Sequence, residues 1–217
     1  MGKYLIAILT FLVATPAIAQ IPYYAGTAGE GKMYGYSSLK VRPGINSQET
    51  YTTFQYGVTD HLDTGIDLYT GPDCSYWGGL LRYGHKISKW YNIGGEVMSS
   101  FDLNKSFKFS YLTTGLYMNG AITSDSRLFW CSNTWWIVNH DAPFGFSNYE
   151  YLGYNIPLKR KRSITPLVGA IHSWKFDKDI DLAFGVYYTF NNWNLYLWSN
   201  DILTSNPRVV IGLDFLL

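Results

Sequence analysis

From Met33 to the C-terminus, apolar and polar residues alternate with a period of two. In Val209 to Leu217 one set is Val209, Ile211, Leu213, Phe215 and Leu217, and the other includes Gly212 and Asp214. Ile180 to Phe190 repeats the design: Ile180, Leu182, Phe184, Val186, Tyr188 and Phe190 alternate with Asp181, Ala183, Gly185, Tyr187 and Thr189. Leu62, Thr64, Ile66 and Leu68 likewise oppose Asp63, Gly65, Asp67 and Tyr69. Such alternation puts the two sets on opposite faces of a strand. No sustained 3.6-residue period competes with it, and Gly, Thr, Tyr and Trp recur inside the apolar segments, so helices are not expected.

The pattern predicts about twelve strands, near 33–41, 49–58, 62–70, 76–87, 91–101, 107–118, 127–138, 148–157, 164–174, 180–190, 192–199 and 208–217; ten or eight are the alternatives, and the count is even. Most approach the roughly 9–11 residues that a tilted strand needs to cross a bilayer. Connections alternate between tight ones (59–61, 88–90, 159–163, 191–192) and longer, loop-rich ones (71–73, 102–106, 139–147, 200–207). Short periplasmic turns with longer outer loops belong to a transmembrane barrel, and an even count leaves both chain ends on the periplasmic side. In hydrocarbon every backbone N–H and C=O must be paired, which a sheet achieves only by closing on itself. The expected fold is therefore an all-β, closed, antiparallel transmembrane barrel over residues 33–217. Trp77, Trp90, Tyr91, Trp174 and Trp193 fall near strand ends, where interfacial aromatic girdles sit. A soluble β-sandwich or lipocalin-like barrel is the alternative, but its outward face should carry charges.

Composition sharpens this. Aromatics make up 18% of the chain and charged residues only 15%, where a soluble domain is usually about one-quarter charged. A net charge of +1 gives no electrostatic case for nucleic acid. At the N-terminus Lys3, an apolar run from Tyr4 to Val13, Pro16 and Ala17-Ile18-Ala19 form a secretory signal over residues 1–19, with cleavage expected before Gln20. Residues 20–32, rich in Ala, Gly and Thr, are expected as a flexible lead-in. Cys74 and Cys131 are too few for a disulfide scaffold and are not expected to pair, although export leaves that open.

The C-terminal strand, Val209 to Leu217, resembles the sorting signal of bacterial outer-membrane barrels, with Leu217 where a terminal aromatic is usual. The segment Gln55-Tyr56-Gly57-Val58-Thr59-Asp60-His61-Leu62-Asp63-Thr64-Gly65 is similar to a strand–turn–strand motif of porin-like barrels, including transporters of the phenol-degradation type. These resemblances imply outer-membrane lipid as surroundings, recognition by the barrel-insertion machinery through the last strand, and passage of a small solute.

If the aliphatic stripes face lipid, the lumen receives Gln55, Asp63, Asp67, Tyr69, Arg82, Lys86, Glu96, Asp181, Asn194, Tyr196 and Asp214. A turn near 88–90 sets Arg82 almost opposite Glu96. Such charges either form a selectivity lining or pair into a plug that leaves a solid scaffold. The loop 139–147, with His140, Asp141, Phe144 and Phe146, is the candidate for external contact. Lys159-Arg160-Lys161-Arg162 is either a phosphate-binding patch or a solvated turn. Catalysis at His172-Ser173 is disfavoured because adjacent strand residues point to opposite faces, and no Ser constellation accompanies His140-Asp141. His61, His85, His140, His172 and the two cysteines lack metal-ligand spacing, so neither metal nor cofactor is expected. The functional expectation is a passive channel, with a closed adhesive barrel and a lipid-modifying enzyme as the other two classes.

Overall fold

Alternation becomes strand throughout the computed structural model, which describes residues 25–42, 48–139, 145–174, 180–200, 202–203 and 207–217. The strands are β1 (Met33–Val41), β2 (Gln48–Thr59), β3 (Leu62–Thr70), β4 (Ser75–Lys86), β5 (Asn92–Asp102), β6 (Lys108–Ala121), β7 (Leu128–Asn139), β8 (Gly145–Tyr154), β9 (Ile156–Leu158), β10 (Arg162–Trp174), β11 (Ile180–Phe190), β12 (Trp193–Asn200) and β13 (Arg208–Leu216). One turn of 3-10 helix, Leu103–Lys105, joins β5 to β6, capped by the Asp102 carboxylate, which accepts from the Asn104 amide. Among the described residues no helix is long and apolar enough to cross a membrane.

All described pairings are antiparallel and, apart from the short β9, each strand lies beside its neighbour in the chain, so the sheet is a meander. It closes where β1 pairs with β13, from Tyr34 opposite Leu216 to Val41 opposite Val209. Strands β8 and β9 both pair with β10 and occupy one position of the ring, giving a closed barrel of twelve positions. The sequence reads a single strand over 148–157; its register on β10 is continuous, and the ladder lapses only at Tyr154 and Asn155, opposite Pro166, which has no N–H to give. Asn155 instead donates from its side-chain amide to the hydroxyls of Ser163 and Thr165 at 3.1 and 3.0 Å.

Both ends of the barrel domain lie at one rim, with the connections 60–61, 87–91, 122–127, 159–161 and 191–192. The positive φ of Asn191, Arg160 and Lys161 gives these tight turns the left-handed backbone that hairpins require. Lys159 to Arg162 are exposed there. The opposite rim, the loop rim, carries the described connections 71–74 and 103–107.

The two faces differ as the alternation requires. Phe54, Ile66, Leu81, Val97, Leu152, Val168, Phe184, Leu195, Leu197 and Ile211 are exposed on the outer wall. Trp77 at the loop rim and Trp90 at the turn rim are exposed, Trp193 packs on Phe215 with ring centroids 4.8 Å apart, and Tyr91 stacks on Trp130; the Trp174 side chain lies outside the described set. Inside, β7 to β13 pack a cluster of Phe129, Cys131, Tyr151, Leu167, Ile171, Ala183, Tyr187, Tyr196, Trp198 and Val210. Large rings fit because glycines lie opposite them across the ladder: a Cβ on Gly185 would sit 1.8 Å from the Trp198 ring, and one on Gly212 2.0 Å from the Tyr196 hydroxyl. Cys131 is a buried free thiol in this cluster, and Cys74 is also unpaired.

Residues 25–32, expected as part of a flexible lead-in, are held against the inner wall at the turn rim. Ala25 and Ala28 are only 1% and 4% exposed. The Ala28 amide donates to the Asp63 carboxylate at 2.7 Å, the Thr27 hydroxyl to the Asp60 carbonyl at 2.7 Å, and Gly31 and Lys32 pair with Gly57 through backbone bonds at 2.9 Å. The wall makes room by omitting side chains. A Cβ on Gly57 would lie 1.8 Å from the Gly29 carbonyl oxygen, and one on Gly84 2.9 Å from that of Ala25. Small residues in the lead-in and glycines in the strands are thus two halves of one contact.

Candidate functional site: the lumen

The polar half of the interior is built on β2 to β6. Register brings Asp63, Arg82 and Glu96 side by side on three consecutive strands. Asp63 faces inward to the Ala28 amide, and Arg82 and Glu96 share the parity of Gly84 and Gly94, against which Ala25 lies. Arg82 Nη1 donates to Glu96 Oε2 at 3.1 Å, both side chains being 4% exposed. Its Nε donates to the Gly26 carbonyl at 2.9 Å, and its guanidinium lies 4.1 Å from the centre of the Tyr117 ring. Arg82 therefore joins three parts: the ion pair on the wall, an aromatic ring, and the N-terminal segment crossing the turn rim.

A second inward row winds from Asp67 through Thr53, Tyr36, Asp214, Asn194 and Thr189 across the β1–β13 seam. The Thr53 hydroxyl donates to the Asp67 carboxylate. The Thr189 hydroxyl donates to Asn194 Oδ1 at 2.6 Å, and Asn194 Nδ2 to Asp214 Oδ1 at 2.5 Å. Tyr36 stacks on Tyr196 at 5.8 Å, and Tyr196 on Tyr187 at 5.0 Å. Hydrogen bonds thus fix the carboxylates while stacked rings on β1, β11 and β12 cover the wall beside them.

Between the two rows lies a cavity of about 210 Å³, lined by Tyr34, Tyr36, Tyr51, Thr53, Gln55, Asp67, Arg82, Glu96, Tyr117, Asn133, Trp135, Tyr187 and Asp214. It is smaller than the roughly 300–1,000 Å³ of pockets that enclose drug-sized ligands. At formal charges it presents three carboxylates and one guanidinium, with aromatic rings on most of the remaining wall.

Of the residues singled out in the sequence, Gln55, Asp67, Arg82, Glu96 and Asp214 line this cavity; Asp63, Asn194 and Tyr196 are buried in the wall beside it. Tyr69 faces inward nearer the loop rim, stacked on Tyr76 at 6.0 Å. Lys86 and Asp181 have the inward parity but do not line the cavity. Lys86 ends β4 in an exposed position, and Asp181 begins β11, accepting from the amides of Leu182 and Leu203. Parity alone cannot tell a lumen position from a rim position. The sequence reading missed Tyr34, Tyr36, Tyr51, Thr53, Tyr117, Asn133, Trp135 and Tyr187, all of which share the parity of the charged set; counting charges alone passed over them. His140, Asp141 and Phe144 lie outside the described residues. Phe146 is in β8, its ring 6.0 Å from that of His172 on the outer wall.

No family model matches the chain, and no curated protein sequence matches it. The similarity to transporters of the phenol-degradation type accordingly rests on residues 55–65 alone. Solved structures do match. A KdgM porin in complex with disordered oligogalacturonate has a TM-score of 0.64 at 10% identity, covering 84% of this chain and 98% of the porin. The NanC porin has a TM-score of 0.58 at 12% identity, covering 83% and 98%. LpxR from Salmonella typhimurium has a TM-score of 0.52 at 6% identity, covering 85% and 99%. The chain shares the fold of porin-type outer-membrane barrels.

Proposed function

We propose that the chain is exported by its N-terminal signal, inserted into the bacterial outer membrane through β13, and acts there as a passive channel for small polar solutes. The observation that carries this reading is the inversion of polarity between the two walls: aliphatic residues cover the outside while charged and aromatic side chains surround an internal cavity. A soluble barrel has no use for such an exterior, and a barrel built only as a scaffold has no use for buried carboxylates, each of which costs free energy to desolvate. Residues 25–32 narrow the turn-rim mouth, so passage is restricted at that end.

The selectivity follows from the cavity. Three carboxylates against one guanidinium favour cations and neutral hydroxyl-bearing solutes over anions. This differs from the KdgM neighbour, whose bound molecule is oligogalacturonate. Reconstitution into planar bilayers tests the proposal: stepwise conductance with a cation-preferring reversal potential is expected. Repeated silence from protein that is folded by circular dichroism overturns it.

A further inference from the structure

The outer wall carries scattered hydroxyls, such as those of Ser37 and Thr52 on β1 and β2, but gathers a carboxylate, an imidazole and an amide together on β7, β8 and β10. There the outward set includes Ser132 and Thr134 on β7, Asn148 and Glu150 on β8, and His172 on β10, opposite in parity to the inward Cys131, Asn133, Tyr151 and Ile171. Register stacks them in two adjoining rows. Thr134, Asn148 and His172 are opposite one another, and Ser132, Glu150 and Ala170 form the next row. The Ser132 hydroxyl donates to Glu150 Oε1 at 2.6 Å, and Asn148 Nδ2 donates to Thr134 Oγ1 at 2.8 Å. The patch is bounded by Trp136 and Phe146 toward the loop rim and by Trp130 and Leu152 toward the turn rim. It therefore lies within the band that faces lipid rather than at either interface.

Glu150 is exposed there. Hydrocarbon offers a carboxylate no donor, and intramembrane acids pair with another polar group. We infer that this patch is a contact between two copies of the chain in the membrane, related by a two-fold axis passing close to Ala170. The patch suits itself: Glu150 supplies an acceptor, while His172 and Asn148 supply donors one row away. In an isologous pairing each Glu150 meets the partner's donors, so the contact is made twice in the dimer. Ala170, the small residue beside Glu150, lets the two walls approach closely, as small residues do at membrane interfaces. The inference needs the membrane setting but not conduction.

The test is cross-linking in lipid bilayers in a Cys74→Ser background, which leaves only buried Cys131. Ala170→Cys is expected to give a covalent dimer on oxidation, whereas Phe54→Cys, exposed on the far wall, is not. Glu150→Leu is expected to lower the Ala170→Cys yield several-fold, and the exchange Glu150→His with His172→Glu to restore it. Retained heat-modifiable mobility shows that each variant is folded. Monomers only, equal cross-linking at both positions, or a yield indifferent to Glu150→Leu overturns the inference. Loss of conductance with dimers intact bears on the channel reading and leaves this one standing.

Discussion

Arg82→Met removes a buried cation while keeping most of its volume. Glu96 is then left without its partner at 3.1 Å, Gly26 loses a charge-assisted bond at 2.9 Å, and the Tyr117 ring loses the guanidinium at 4.1 Å. Breaking a buried ion pair from one side typically costs about 3–5 kcal/mol. Because Glu96 lines the cavity, water there can solvate it in part, which places the expected loss near the lower end, at about 3 kcal/mol. Replacing both partners, as in Arg82→Met with Glu96→Met, leaves no orphaned charge, so the double variant should lose less than either single one. Equilibrium urea unfolding of the barrel in detergent, followed by tryptophan fluorescence, measures all three. A loss below about 1 kcal/mol for Arg82→Met, or a double variant as costly as the sum of the singles, refutes the assignment of Arg82 as the keystone of the polar wall. The same variant should quicken trypsin cleavage at Lys32, because the segment has lost its bond at Gly26.

Three further outcomes follow from the geometry. Gly57→Ala with Gly84→Ala should expel residues 25–32 from the turn-rim mouth, seen as larger unitary conductance and faster labelling of a cysteine at Thr27; unchanged labelling would show that the segment does not depend on those glycines. Asp67→Asn with Asp214→Asn should move the reversal potential in a potassium chloride gradient toward zero; no movement would remove these carboxylates from the selectivity lining. Ile211→Arg places a cation on the lipid face and should cost about 2–4 kcal/mol in an unfolding titration from lipid vesicles, whereas a cost near zero would argue that this wall faces water.

The barrel was legible because a membrane strand repeats one rule at every second residue. Val209 to Leu217 and Ile180 to Phe190 each declare their two faces without reference to any partner, and the observed strands follow them. Arg82 opposite Glu96 was legible for a related reason, since a short turn sets the register of its hairpin. What escaped depends on contacts between distant segments. Ala28 meets Asp63 and Gly26 meets Arg82 across separations of 35 and 56 residues, so the lead-in showed only its small-residue composition, which equally suits a flexible tether. The glycines that receive it looked like ordinary strand glycines. Lys86 and Asp181 were placed in the lumen because parity assigns a face and not a height, and the height depends on how the rows wind around the barrel.

Glu150 and its neighbours follow a different logic from the lumen. In the same strand Tyr149 and Tyr151 turn inward, so a change at Glu150 reaches the cavity only through the backbone it shares with them. Sheets held by ladders on both sides resist such transmission, and sites that share no contact usually behave additively. Glu150→Leu should therefore leave unitary conductance and ion preference as they were, while Asp67→Asn should leave the Ala170→Cys cross-link as it was. Coupling between them, measured as a cross-linked barrel whose conductance falls only when Glu150 is intact, would mean that pairing two walls deforms the lumen. That result would refute the separation of an inner wall for solute from an outer wall for association.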